Sequence, residues 1–86
     1  MEKDREIAFT WYEKAAEQGH AYAQGALANS YWEGVGVDKD LEKAAYWYEK
    51  AAEQGEEDAQ YYLALCYLNG MGAPKDEDKA MEWCLK

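Results

Sequence analysis

The residues able to do chemistry are few and poorly grouped for it. His20 is the single histidine, next to Gly19 where a helical stretch ends, and both cysteines are remote from it in sequence. A metal site needs several such donors converging on one point. Ser30 and Thr10 are the only residues of their types, and no base and oxyanion donors group with either to make a nucleophile. Glu13 with Glu17, and Glu49 with Glu53, are spaced four apart on helical surfaces. Such pairs repel mildly and solvate an outer face. The segments Gly34-Val35-Gly36 and Gly70-Met71-Gly72 lack the following Lys-Ser/Thr of a phosphate loop and follow no strand. Cys66 and Cys84 flank the Gly70–Lys75 loop on successive helices of an antiparallel pair. That spacing permits a disulfide without requiring one, since buried free cysteine is common. These residues predict no enzyme, no metal and no cofactor.

Charge narrows the partners. Eighteen acidic against nine basic residues give a net charge of −9 over 86 residues. No basic stripe offsets it, which argues against nucleic acid and against anionic membrane surfaces. A basic protein surface is attracted instead, with salt weakening the association. The same acids also keep an apolar-rich chain in solution. Met1 to Glu6 opens no signal peptide and no stretch reaches the ~20 apolar residues of a membrane span. Together with only two cysteines, this favours a reducing, cytoplasmic setting, or a leader removed beforehand.

The elements that position these residues are read from a repeat. Trp11-Tyr12-Glu13-Lys14-Ala15-Ala16-Glu17-Gln18-Gly19 recurs unchanged as Trp47 to Gly55, 36 residues on, and the same offset matches about half of all overlapping positions. A unit this short cannot bury its own apolar face and must stack on its neighbours. Asp4 to Gln18 reads as a helix with Ala8, Trp11, Tyr12, Ala15 and Ala16 on one stripe, Asp4 as its N-cap and Gly19 as its left-handed end. Ala21 to Glu33 reads as a second helix, with Ala23, Leu27 and Tyr31. The pattern restarts with Asp40 to Gln54, then Glu57 to Asn69, then a last helix from about Asp76 carrying Ala80 and Trp83. Period-two alternation is absent, so no strand is predicted.

These residues resemble the Sel-one-like repeat family, a relative of the tetratricopeptide repeats. The first full unit supplies Ala23, Leu27, Tyr31, Gly34, Gly36, Val37, Asp40, Ala44, Trp47, Tyr48, Ala51, Ala52 and Gly55; the second supplies Ala59, Leu63, Tyr67, Gly70, Gly72, Asp76, Ala80 and Trp83. Departures are Ala28 and Ala64, where the family has glycine after leucine, and Ala73, where it has valine. The resemblance implies one all-α domain, a solenoid of antiparallel helix pairs with a tetratricopeptide-like right-handed superhelix. Residues 1–19 would be the second helix of a partial repeat, 20–55 a full repeat, and 56–86 a repeat with a shortened second helix. Cysteine-rich bacterial relatives carry a cysteine pair in each unit and have been linked to β-lactam binding. Ala16 with Ala23 and Ala52 with Ala59 stand at those positions here, so the cysteine pairs that accompany that link are absent from this chain.

By the same resemblance the function is that of a non-enzymatic adaptor, holding a peptide or helix of another protein on its concave side. Residues that recur at 36 are explained by stacking; large ones that differ need another account. Tyr22, Asn29 and Trp32 on one first-type helix, with Asp58, Tyr61, Leu65 and Leu68 on the next, form the candidate partner face. Packing against a neighbouring helix is the competing account of the same residues. The alternative function is self-assembly, or a minimal or engineered scaffold with no dedicated ligand. Ile7 and Phe9 near one end and Met81 and Leu85 near the other are its candidates for end-to-end contact, and they would make a homo-oligomer.

Overall fold

The computed structural model describes residues 2–84. They form α1 (Glu2–Glu17), α2 (Ala21–Glu33), α3 (Leu41–Glu53), α4 (Glu57–Asn69) and α5 (Glu77–Cys84), with no strand among the described residues. Each helix packs on the next in chain order. The result is an elongated body of 40 × 22 × 16 Å, an all-α solenoid in which α2 and α4 are the first-type helices and α1, α3 and α5 the second-type ones.

Local chemistry sets the boundaries, and it is the same in both units. The Asp40 carboxylate accepts the Lys43 backbone N–H at 3.1 Å and Asp76 does the same for Lys79, so each caps a second-type helix. The backbone N–H groups of Asp40 and Asp76 donate to the carbonyls of Tyr31 and Tyr67 at 2.9 and 2.8 Å, which ties each long loop back to the helix before it. At the tight turns Gly19 and Gly55 take φ of 92° and 93°. The following His20 and Glu56 N–H groups then reach the Ala15 and Ala51 carbonyls at 3.2 Å, the helix end that a left-handed residue permits. One expectation fails: α1 starts at Glu2, so Asp4 lies within the first turn instead of capping it. An acid there still opposes the helix dipole favourably.

The core is paved with alanine. Ala44 and Ala51 are wholly buried, and Ala16, Ala52 and Ala59 nearly so. Small side chains let the helix axes approach, and Tyr48, Leu27, Leu63 and Cys66 fill what remains. A polar stitch recurs beside them. Gln24 is buried and its Nε2 donates to the Ala16 carbonyl at 3.1 Å; Gln60 repeats the bond to Ala52 at 3.2 Å. Gln54 Nε2 donates to Gln24 Oε1 at 2.7 Å, which ties the end of α3 to α2 within one unit. Cys66 is buried, Cys84 is exposed and both thiols are free. Burial pushes the Cys66 thiol up to about 11, which leaves it protonated and inert at neutral pH.

Gly72 marks a close backbone approach. It has a φ of 76°, and a Cβ built there would run into the Leu41 carbonyl at the start of α3. Gly55 has a similar left-handed φ, but nothing lies within 4 Å of its Cβ position. Gly55→Ala should therefore lose only the left-handed penalty of about 1–2 kcal/mol. Gly72→Ala should lose clearly more, because the α4–α5 loop must also lift off α3. Urea unfolding of the two variants measures the difference, and equal losses would refute the contact.

Candidate functional site

Two of the concave places differ in how they relate to the internal repeat. One, about 590 Å³, lies on α1 and is lined by Ile7, Thr10, Trp11, Lys14, Ala15, Gln18 and His20. Trp11, Lys14, Ala15 and Gln18 recur as Trp47, Lys50, Ala51 and Gln54, so this is a scaffold face. Trp11 is 74% exposed, whereas Trp47 and Trp83 are half-buried on second-type helices that follow α2 and α4. Ala15 is half-buried where Ala51 is fully covered. Among the described residues, α1 has no first-type helix on this side, and the pocket is the seam such a helix fills elsewhere.

The smaller place, about 180 Å³, is a groove between α2 and α4. Tyr22, Gly25, Ala26 and Asn29 form the α2 wall, and Asp58, Ala59 and Tyr62 the α4 wall. Glu56 stands at one end and Tyr48 of α3 underneath. Most of this lining does not recur. Thirty-six residues on, Tyr22 becomes Asp58, Gly25 becomes Tyr61, Ala26 becomes Tyr62, Asn29 becomes Leu65 and Tyr48 becomes Cys84; Ala59 matches Ala23, and Tyr48 matches Tyr12 one unit earlier. The stacking requirement therefore does not dictate this lining.

Aromatic packing builds the floor. The Tyr48 and Tyr62 rings stack at 5.1 Å with an interplanar angle of 21°. Trp32 meets them at 5.9 and 6.0 Å, and Tyr61 lies edge-on to Tyr62 at 5.6 Å. Such arrangements suit the ring quadrupoles. The buried Tyr48 hydroxyl donates to Asn29 Oδ1. Burial above all, then the nearby Tyr62, Cys66 and Glu33, hold that phenol protonated well above its usual range. It therefore remains a donor and turns the Asn29 amide oxygen toward itself.

The structure sorts the candidates named from sequence. Tyr22, Asn29 and Asp58 meet at the groove. Tyr61 is exposed and flanks it through Tyr62, and Leu68 is exposed farther along α4. Leu65 is half-buried. Trp32 is half-buried too, and its ring supports the floor instead of forming an open patch. Of the end-contact candidates, Ile7 and Met81 are well exposed. Phe9 is half-buried and packs edge-on against Tyr31 at 5.4 Å, inside the first seam, and Leu85 lies outside the described residues. His20 lines the α1 pocket, and no cluster of potential metal ligands occurs among the described residues. None of the described helices is long and apolar enough to cross a membrane. Sequence reasoning passed over Tyr62, Tyr48, Gly25 and Glu56. Mismatch at the 36-residue offset was the available signal for Tyr62, Gly25 and Glu56; Tyr48 recurs as Tyr12 and carried none.

The Tyr48–Asn29 bond yields a direct test. Asn29→Leu strands a buried hydroxyl and should lose about 1–3 kcal/mol. Adding Tyr48→Phe should recover most of it, because the pair then becomes apolar on both sides, as Leu65 and Cys84 are in the next unit. A double-mutant cycle by thermal or urea melting gives the coupling; simple additivity would show that the bond contributes nothing.

Comparison with known proteins agrees with this architecture. The Sel1 repeat model matches residues 1–20, 21–56 and 57–86. No curated protein matches the chain. Among solved structures the chain is similar to a Sel1 repeat protein from Oxalobacter formigenes, at 44% identity and a TM-score of 0.89, covering 91% of this chain and 32% of that one. It is similar to c5321, a protective antigen of uropathogenic Escherichia coli strains displaying an SLR fold, at 41% identity and a TM-score of 0.79, covering 87% of this chain and 16% of that one. Cysteine rich protein B of Helicobacter pylori matches at 32% identity and a TM-score of 0.83, covering 87% of this chain and 56% of that one. The chain thus spans between 16% and 56% of the length of these proteins. With the family model matched from end to end, over the same helix pairs that the fold displays, this chain belongs to the Sel1 repeat family.

Proposed function

We propose that this chain is a peptide-binding module whose site is the groove between α2 and α4. Sel1-repeat proteins are generally protein-interaction modules, and the groove is where this chain departs from its own repeat. At about 180 Å³ it is smaller than the roughly 300–1,000 Å³ of drug-sized ligand pockets. It suits one or two side chains projecting from a longer segment. The exposed Tyr22, Tyr61 and Leu68 extend the contact along both helices, and tyrosines of this kind act as anchors at interfaces. The Asn29 oxygen is committed to Tyr48, so its Nδ2–H group serves a peptide carbonyl.

The observation that carries this reading is Gly25. It sits in the interior of α2, where glycine costs about 1 kcal/mol relative to alanine. Its φ is not positive, and a Cβ there would meet only Glu56 Cγ, at 3.9 Å. The fold does not need this glycine, but an open groove does.

A second reading rests on the α1 pocket with its exposed Trp11 and Ile7: two copies pair through that face. Each copy carries −9, so such pairing strengthens as salt screens the repulsion. Sedimentation over a range of protein and salt concentrations tests it. A concentration-dependent dimer lost in Trp11→Gln supports it; a monomer throughout dismisses it.

For the groove, peptides selected from a displayed library on the intact chain should bind Gly25→Met at least tenfold more weakly. That variant fills the groove while replacing glycine with a better helix former, so it should melt no lower than the original. Failure to select any peptide, or binding indifferent to Gly25→Met, would refute the site.

A further inference from the structure

Tyrosine rings elsewhere in this chain already hold cations. Lys43, Lys50 and Lys79 place Nζ 5.4–5.5 Å from the ring centres of Tyr31, Tyr46 and Tyr67. Each is a cation–π contact within the chain. Tyr31 and Tyr67 also have a carboxylate at hand: Glu13 adds to the upward push that burial gives the Tyr31 phenol, and the Tyr67 hydroxyl donates to Glu49 Oε2 at 3.4 Å. Ring, carboxylate and ammonium form one recurring cluster.

The α2–α4 groove has two parts of that cluster and lacks the third. Tyr22 and Tyr62 supply rings, Glu56 and Asp58 supply carboxylates, and its lining holds no lysine or arginine. The repeat counterparts of those acids are His20 and Tyr22, so stacking does not require charge at either position. We propose that the groove takes an arginine side chain of the bound peptide, its guanidinium lying against Tyr22 and Tyr62 and pairing with Asp58 and Glu56. Arginine fits better than lysine because its planar fork stacks on rings and bonds two carboxylate oxygens at once. The volume suits one such side chain, and the net charge of −9 draws a basic segment toward the site. The assignment rests on the groove being the peptide site and specifies what enters it.

Blocked pentapeptides Ala-Leu-Arg-Leu-Ala, with lysine, norleucine or glutamate in place of the arginine, test this on the full chain. Titrations followed by the Tyr22 and Tyr62 ring signals and the Asn29 side-chain amide give the affinities. The arginine peptide should bind at least tenfold more tightly than the norleucine one at low salt, with lysine between them and glutamate weakest. The double variant Glu56→Gln with Asp58→Asn, its folding checked by circular dichroism, should reduce the arginine advantage to threefold or less, as should high salt. Equal binding of the arginine and norleucine peptides, both lost in Gly25→Met, would overturn the arginine assignment and leave the groove as a peptide site. An arginine advantage that survives the double variant would also overturn it. Binding of none of the peptides would overturn both.

Discussion

Close approach of helices across alanine is the constraint on which the rest of this structure depends. Ala44, Ala51, Ala52 and Ala59 are buried almost completely, and each contributes little apolar area by itself. What they contribute is proximity. With the axes close, Tyr48 is fully enclosed, Trp32 and Tyr62 come within ring contact of it, and Gln24 and Gln60 reach the carbonyls at the ends of α1 and α3. A bulkier residue at such a seam would separate helices and remove several of these contacts together. Order in this chain is thus a property of neighbouring pairs. The contrast between exposed Trp11 and half-buried Trp47 shows one residue type in two states, set by whether a first-type helix lies beside it.

Once the scaffold is met by recurring residues, the others are free to diverge, and several that do so line the groove. Around Tyr48 the unit pairs a hydroxyl with the Asn29 amide; one repeat later the same two positions hold Cys84 and Leu65. A buried polar group is costly only when left without a partner, so the Tyr48 hydroxyl is accommodated by Asn29. The groove exists because Gly25 and Ala26 are small where Tyr61 and Tyr62 stand in the next unit. The asymmetry between two copies of one repeat creates concavity that an exact repeat would not have.

Much of the fold was legible before any coordinates. The nine-residue identity at an offset of 36 located five helices, and Asp40 and Gly55 marked the ends of α3. The start of α1 was misjudged at Asp4, because an acid near a helix start serves as a cap or as a first-turn residue with the same sequence signature. The site was legible only in part. Tyr22, Asn29 and Asp58 followed from residues that break the repeat. Trp32 and Phe9 looked equally suited to open faces, yet each lies against an aromatic ring from another segment. Gln24 gave a readable clue, a polar residue recurring as Gln60 beside the apolar stripe, but only tertiary packing showed that its amide ends on Ala16.

The amino-acid sequence by itself determined the helices, most of their ends, the stacking of units and the acidic surface, because caps, glycine turns and apolar stripes act within a few residues of chain. Tertiary structure alone decided which aromatic rings are walls and which are floor, that Cys66 is sealed while Cys84 is not, and that Gly25 opens onto a groove. Those outcomes depend on how far apart two helices from different units settle, a distance fixed jointly by alanines and rings from three helices at once.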